Sequence, residues 1–269
     1  MTLIAPWRMW DLKSREDELA YAEAHNVPID YKSEENPYPY SMDWNIWHLS
    51  MKAMTSKIRP MLRKTWSTWS PRRRNRLRTL RNTSPSTLKK GFPSPSMVPK
   101  YDAVTLITVL NEIGARNGVG IVDIVENRLV GMKSRGIYEN RRAILMYAHR
   151  ELEYLTLDRD TFHYKETAAN KFAELVYDGK WFSPLREALS AFVDETQQTV
   201  TGQVILKLYK GNIISAGSTS PYSLYNEEFV TFGEDDVYDQ TDAEGFINLF
   251  GLPLKMRALM KQHAEKQGK

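Results

Sequence analysis

The 269-residue sequence predicts an α+β fold, a mixed sheet with packed helices followed by a C-terminal helix. Three observations carry this expectation. Apolar residues recur at helical spacing in several stretches, β-branched runs of strand length lie between them, and the two kinds alternate without a steady β–α–β rhythm. The length allows one large domain or two small ones around a buried core.

In chain order, the first helix is entered from Asp11-Leu12-Lys13-Ser14. Ser14 caps it with Asp17 at the third position, Leu19 and Ala22 share its apolar side, and it stops near His25-Asn26, before Pro28. Residues 29–50 are aromatic-rich and read as irregular, because Pro37 and Pro39 interrupt them. Regular structure is expected again from Tyr101, where Leu106, Leu110 and Ile113 mark a helical face ending near Gly114 or Asn117-Gly118. Residues 119–125 are β-branched and alternate loosely, which predicts a strand. Helices follow over about 143–155 and 161–178, and Ser183-Pro184 opens another with a cap and a proline at the first helical position. Strands at 200–209 and 213–216 join through Lys210-Gly211-Asn212. Thr241-Asp242-Ala243-Glu244 reads as a capping box. A tail helix begins near Pro253 with Leu252, Met256, Leu259 and Met260 on one face.

Charge divides the chain further. The net +4 hides a segment, 51–100, with six lysines, eight arginines and no carboxylate. Outside it, 23 basic residues face 33 acidic ones. Six prolines interrupt 51–99, Arg72-Arg73-Arg74-Asn75-Arg76-Leu77-Arg78 lies close to Trp66 and Trp69, and no helical or strand period persists. The organisation read from this is 1–50, an aberrant basic segment 51–99 outside the core, a main domain 100–240, and a helical tail 241–269. No cysteine is present, which excludes disulfides, thiol nucleophiles and cysteine-bound metals. His48, His149 and His163 lack an i, i+4 histidine partner or a nearby acidic cluster, so they read as structural. No apolar run approaches the ~20 residues a bilayer requires, and the N-terminus has no signal pattern. The expectation is a soluble protein without membrane contact.

The densest chemistry lies in Ile124-Val125-Glu126-Asn127-Arg128-Leu129-Val130-Gly131-Met132-Lys133-Ser134-Arg135-Gly136-Ile137-Tyr138. Polar side chains around two glycines, emerging from an apolar run, read as a binding loop on a rigid support. Lys133 and Arg135 have the chemistry to meet phosphate or carboxylate, although a solvated loop is the preferred reading of both.

This block resembles a signature segment of the argininosuccinate synthase family. Further blocks resemble the same family in the same order: Ile4-Ala5-Pro6-Trp7-Arg8, Pro39-Tyr40-Ser41-Met42-Asp43 through His48-Leu49-Ser50, Ala148-His149-Arg150-Glu151-Leu152-Glu153, Trp181-Phe182-Ser183-Pro184-Leu185-Arg186, Leu208-Tyr209-Lys210-Gly211-Asn212 and Ser220-Pro221-Tyr222-Ser223-Leu224-Tyr225. The resemblance covers about 1–50 and 100–260. It implies an enzyme that joins citrulline to aspartate with ATP and Mg2+, releasing AMP and pyrophosphate, as a cytoplasmic homotetramer in arginine biosynthesis, with the C-terminal helix serving oligomerisation. It also assigns citrulline binding to Ser41, Ser50, Glu126 and Tyr138; no catalytic acid, base or metal ligand is assigned. Hydroxyls and one carboxylate suit a neutral, polar ureido side chain.

Three departures stand beside the matches. The family's Ser-Gly-Gly-Leu-Asp-Thr-Ser phosphate loop does not occur, so the expectation is a truncated, inactive remnant lacking the ATP-binding half. Tyr138-Glu139-Asn140-Arg141-Arg142 stands where the family has Thr-Pro-Gly-Gly after the glutamate. The basic segment matches nothing in the family, and a frameshift accounts for it. Met51 to Leu62 can be encoded so that the frame from the third base spells Glu-Gly-Asn-Asp-Leu-Glu-Asp-Pro-Ala-Asn-Ala, which resembles the family's acidic text there. Two other readings compete. Residues 52–90 have the arginines and tryptophans of a nucleic-acid binder, though a solvated charge run explains them as simply. The apolar tail fits a non-catalytic assembly partner of a full-length synthase.

Overall fold

The computed structural model describes residues 2–28, 41–52, 83–89, 92–93, 102–229 and 239–268. Trp66, Trp69 and the arginine run 72–78 lie outside these residues, as do Pro37 and Pro39. The α+β expectation is met by helices and two four-stranded sheets.

Helix α1 (Arg15–Ala24) begins as its sequence requires. The Ser14 hydroxyl accepts from the Asp17 amide at 3.2 Å, and the Asp17 carboxylate accepts from the Ser14 amide at 2.9 Å. By Cα clustering the chain forms two compact units.

The first unit comprises Met1–Leu80, Asp102–Ile144 and Leu208–Asn212. Its sheet contains β1 (Ser41–Trp44), β2 (Leu49–Lys52), β5 (Ile121–Asn127) and β6 (Lys133–Glu139), in the order β1-β2-β6-β5 with antiparallel neighbours throughout. Helix α2 (Ala103–Asn117) is capped by Asp102, which accepts from the Thr105 amide at 2.7 Å. It ends at Gly118, whose φ of 69° is the left-handed conformation glycine tolerates best. Ile107 and Leu110 on this helix are buried, as are Val119 and Ile137. Gly120 can be nothing else: its φ is +86°, and a Cβ there would stand 2.1 Å from the Asn140 carbonyl oxygen. The Asn140 amide donates to the Gly120 carbonyl at 2.6 Å, which closes the base of the β5–β6 hairpin.

The second unit comprises Arg81–Tyr101, Leu145–Lys207 and Ile213–Lys269. Helices α3 (Ala143–Thr156), α4 (Arg159–Tyr177) and α5 (Pro184–Thr196) precede a β-hairpin, β7 (Gly202–Tyr209) and β8 (Asn212–Thr219). Lys210 and Gly211 turn this hairpin with φ of 47° and 87°, the two positive values a type I′ turn demands. Val204, Leu206 and Leu208 are buried while Ile205 is exposed, so the strand has one inner face. Leu152 is 0% exposed, and a Cβ on Gly202 would approach its Cδ2 to 2.8 Å. Glu153 is also buried, held by Lys165 Nζ at 2.5 Å and by Gln197 Nε2 at 3.0 Å, with His149 Nε2 2.7 Å from Gln197 Oε1. The tail carries α6 (Asp242–Phe250) and α7 (Leu252–Lys266).

Four local expectations need correction. Residues 41–52 are not irregular: they form the β1–β2 hairpin, whose strands alternate Met, Trp and Leu with Ser, Asp and Lys over only four positions each, too short a run to stand out beside Pro37 and Pro39. The segment 128–138 is mostly not a loop either, because Lys133–Glu139 is a strand paired along its length with β5. The basic segment supplies β3 (Thr83–Lys89) and β4 (Phe92–Pro93), with β3 paired to β7, where no strand period was read. Finally, no capping box forms at Thr241. Its φ and ψ of −67° and −22° are helical, and its hydroxyl donates to Asp239 Oδ1 at 2.6 Å.

Candidate functional site

The antiparallel register decides which side chains can meet. In the β1-β2-β6-β5 sheet, Asp43 pairs with Ser50, Ser50 with Tyr138, and Tyr138 with Val122. These residues form one row across four strands. Side chains alternate along a strand, so Gly136, Ser134 and Glu126 share that row's face. Position 41 pairs with position 52 and stands two residues from Asp43, in the same phase. All four sequence-assigned positions, Ser41, Ser50, Glu126 and Tyr138, therefore fall in one phase of one sheet.

Tyr138 and Glu126 are in direct contact. The Tyr138 hydroxyl donates to Glu126 Oε1 at 2.7 Å, and both residues are half-buried. The ring runs along the strand over Gly136, where a Cβ would lie 3.0 Å from Cε2 and 3.3 Å from the hydroxyl oxygen. Gly136 thus leaves room for the phenol to reach Glu126. Ser50, 6% exposed, sits beside the ring's base with its Oγ 3.5 Å from Asp43 Oδ2. The His48 ring lies 5.9 Å from that of Tyr138.

The β1–β2 turn is fixed from several sides. Asn45 Oδ1 accepts from the amides of Trp47 and His48 at 2.8 and 2.9 Å, and Asn111 Nδ2 donates to the Ile46 carbonyl at 2.8 Å. Arg142 stacks its guanidinium 4.1 Å above the Trp47 ring. Burial depresses the Arg142 pKa from its usual value, and its Nε and Nη1 have no hydrogen-bond partner.

Of the two cations singled out in the hairpin, Arg135 is committed elsewhere. It holds Asp123 through Nε and Nη2 at 2.8 and 2.7 Å, and this hydrogen bonding raises its pKa. Its position has the opposite phase to Tyr138, as has that of Lys133, which is exposed at the start of β6. Neither residue lies in a loop, and Arg135 meets a carboxylate of its own sheet. Sequence reasoning passed over Asp43 and Gly136. Asp43 lay inside the quoted Ser-Met-Asp string, and the two-residue spacing from Ser41 signals a shared face once a strand is recognised there. The described face offers hydroxyls and carboxylates in a row, suited to a polar ligand rich in N–H donors.

Residues 40–257 match the family described as Arginosuccinate synthase C-terminal domain. Curated proteins similar to the chain carry the name argininosuccinate synthase. The Acetivibrio thermocellus protein is 57% identical over 270 residues, covering 97% of this chain and 64% of its own length. That of Clostridium botulinum strain Alaska E43 is 52% identical, covering 100% and 66%, and that of Caldanaerobacter subterraneus subsp. tengcongensis is 54% identical, covering 96% and 63%. The chain spans a little under two thirds of the length of these relatives.

Proposed function

The chain belongs to the argininosuccinate synthase family, and from that premise we propose that it holds citrulline for ATP-dependent ligation to aspartate in arginine biosynthesis. The single observation that carries the reading is the common sheet face of Ser50, Glu126 and Tyr138, with the phenol already bonded to the carboxylate. Glu126, with one oxygen held by Tyr138, offers the other to the ammonium or the ureido N–H groups of citrulline. Ser50 supplies a hydroxyl beside it, and Ser41 is assigned with them on the family string and its register. The work of these residues is orientation, since displacement at phosphorus gains most from a fixed nucleophile.

The described residues do not fit the phosphates of ATP. A phosphate loop follows a strand and opens a helix. Gly118 and Gly120 instead precede β5, Gly131 and Gly211 turn hairpins, Gly179 lies between α4 and α5, Gly217 is within β8 and Gly268 ends α7. No acidic or histidine cluster suited to a metal such as Mg2+ occurs among the described residues. On this reading phosphate contacts lie outside them, and the 269 residues alone orient citrulline without forming its adenylate. Phe246, Phe250, Leu254 and Met256 are exposed on α6 and α7, which supports assembly into a homo-oligomer through the tail. No helix among the described residues is long and apolar enough to cross a membrane, and the cytoplasmic setting of the reaction is part of the proposal.

Titration calorimetry of the chain with citrulline, alongside a pyrophosphate-release assay with ATP, tests the reading. Saturable binding without pyrophosphate release is the expected result. Absence of binding overturns it.

A further inference from the structure

We propose that Asp43 is a positioning residue of this site, acting through Ser50: its carboxylate accepts the hydrogen bond of the serine hydroxyl and so turns the serine oxygen to accept from the ureido N–H groups of citrulline. The inference rests on the citrulline reading and adds a residue to it. Asp43 and Ser50 are direct cross-strand partners in the β1–β2 hairpin, with Asp43 Oδ2 3.5 Å from Ser50 Oγ. That is the long end of hydrogen bonding. Ser50 is 6% exposed, so its hydroxyl needs a protein partner.

Chemistry fixes the direction of the pair. An ionised carboxylate only accepts, so the proton between Asp43 and Ser50 belongs to the serine and points at Asp43. The serine oxygen can then offer only lone pairs to a third group. The neighbouring row member repeats this polarity, for the Tyr138 proton is committed to Glu126 at 2.7 Å. Ser50 and Tyr138 are themselves cross-strand partners. Two hydroxyls thus stand on neighbouring strands, each donating to a carboxylate, and the Ser50 oxygen is turned to accept. A ligand end rich in N–H donors fits this arrangement, and the citrulline ureido group has three such hydrogens. Backbone pairing of β1 to β2 over four residues keeps Asp43 and Ser50 in register.

A double-mutant cycle on the full chain reads the coupling by citrulline calorimetry. Asp43→Ala and Ser50→Ala are each expected to weaken citrulline about tenfold, the usual scale of one lost hydrogen bond. The double variant is expected to be weakened about tenfold as well, because both substitutions remove one device. Asp43→Asn keeps the shape and an acceptor oxygen without the charge, and should lose only a fewfold. It serves as the reporter if the alanine variant does not fold, with circular dichroism and urea midpoints checking each protein. An additive loss of about a hundredfold, or unchanged affinity in either Asp43 variant, overturns the inference while leaving the citrulline site in place. Failure of the unsubstituted chain to bind citrulline removes the functional reading itself, and this inference with it.

Discussion

Replacing Tyr138 with phenylalanine removes one oxygen from the site and leaves the ring over Gly136. The lost group donates to the Glu126 carboxylate at 2.7 Å. Hydrogen bonds to charged groups contribute about 1.5–3 kcal/mol. Tyr138 and Glu126 are only half-buried, so solvent competes and the lower end, about 1.5 kcal/mol, applies. If that bond serves to aim Glu126 at citrulline, the loss falls on binding and amounts to about tenfold in affinity. Stability should fall by less than about 1 kcal/mol, since Glu126 regains water and the ring contacts persist. Calorimetry with citrulline and urea denaturation followed by circular dichroism separate the two effects. Unchanged citrulline affinity would refute the assignment of this pair to the ligand. Loss of the fold would show instead that the hydroxyl holds the sheet together.

Other outcomes follow from geometry elsewhere. Gly120→Ala should cost more than about 2 kcal/mol in urea denaturation, because the left-handed backbone and a contact 2.1 Å from the Asn140 carbonyl oxygen act together. Glu153→Ala leaves the half-buried Lys165 ammonium without its buried carboxylate and is expected to cost about 3 kcal/mol, whereas a double change of Glu153 and Lys165 to apolar residues should restore part of it. Asp158 caps α4, and hydrogen bonding from the Thr161 side chain and then its amide holds its pKa below the usual aspartate value. Its cap is therefore at full strength above about pH 4 and is lost as pH falls through the lowered value; Asp158→Asn should remove that step from an acid titration of helical circular dichroism. Resequencing the DNA for 51–62 and translating three frames should produce the acidic Glu-Gly…Leu-Glu-Asp-Pro text in a neighbouring frame, and its absence would retire the frameshift account.

The elements legible in the sequence were those with local chemistry of their own. Ser14 with Asp17 and Ser183-Pro184 before α5 are self-contained caps, and each starts a helix where expected. Lys210-Gly211 marked its hairpin in the same way. What escaped were strands stabilised by partners distant in sequence. β1 and β2 alternate apolar and polar residues over only four positions each, and β2 gains its order by pairing with β6, far along the chain. The strand Lys133–Glu139 looked like a loop because Lys133, Ser134 and Arg135 are polar and Gly136 is a breaker, yet pairing with β5 satisfies its backbone. The site followed the same division. Ser50, Glu126 and Tyr138 were found through the family string, but their common face, and Asp43 and Gly136 with it, emerge only from the cross-strand register.

The central claim is that citrulline lies on one face of the β1-β2-β6-β5 sheet. Nuclear magnetic resonance of isotopically labelled chain, titrated with citrulline, reads this residue by residue. Saturable shifts should cluster at Asp43, Ser50, Glu126, Gly136 and Tyr138, with Asp123 and Arg135 in the opposite phase much less affected. Shifts centred on Asp123 and Arg135, or saturation without any response at Glu126 and Tyr138, would contradict the account.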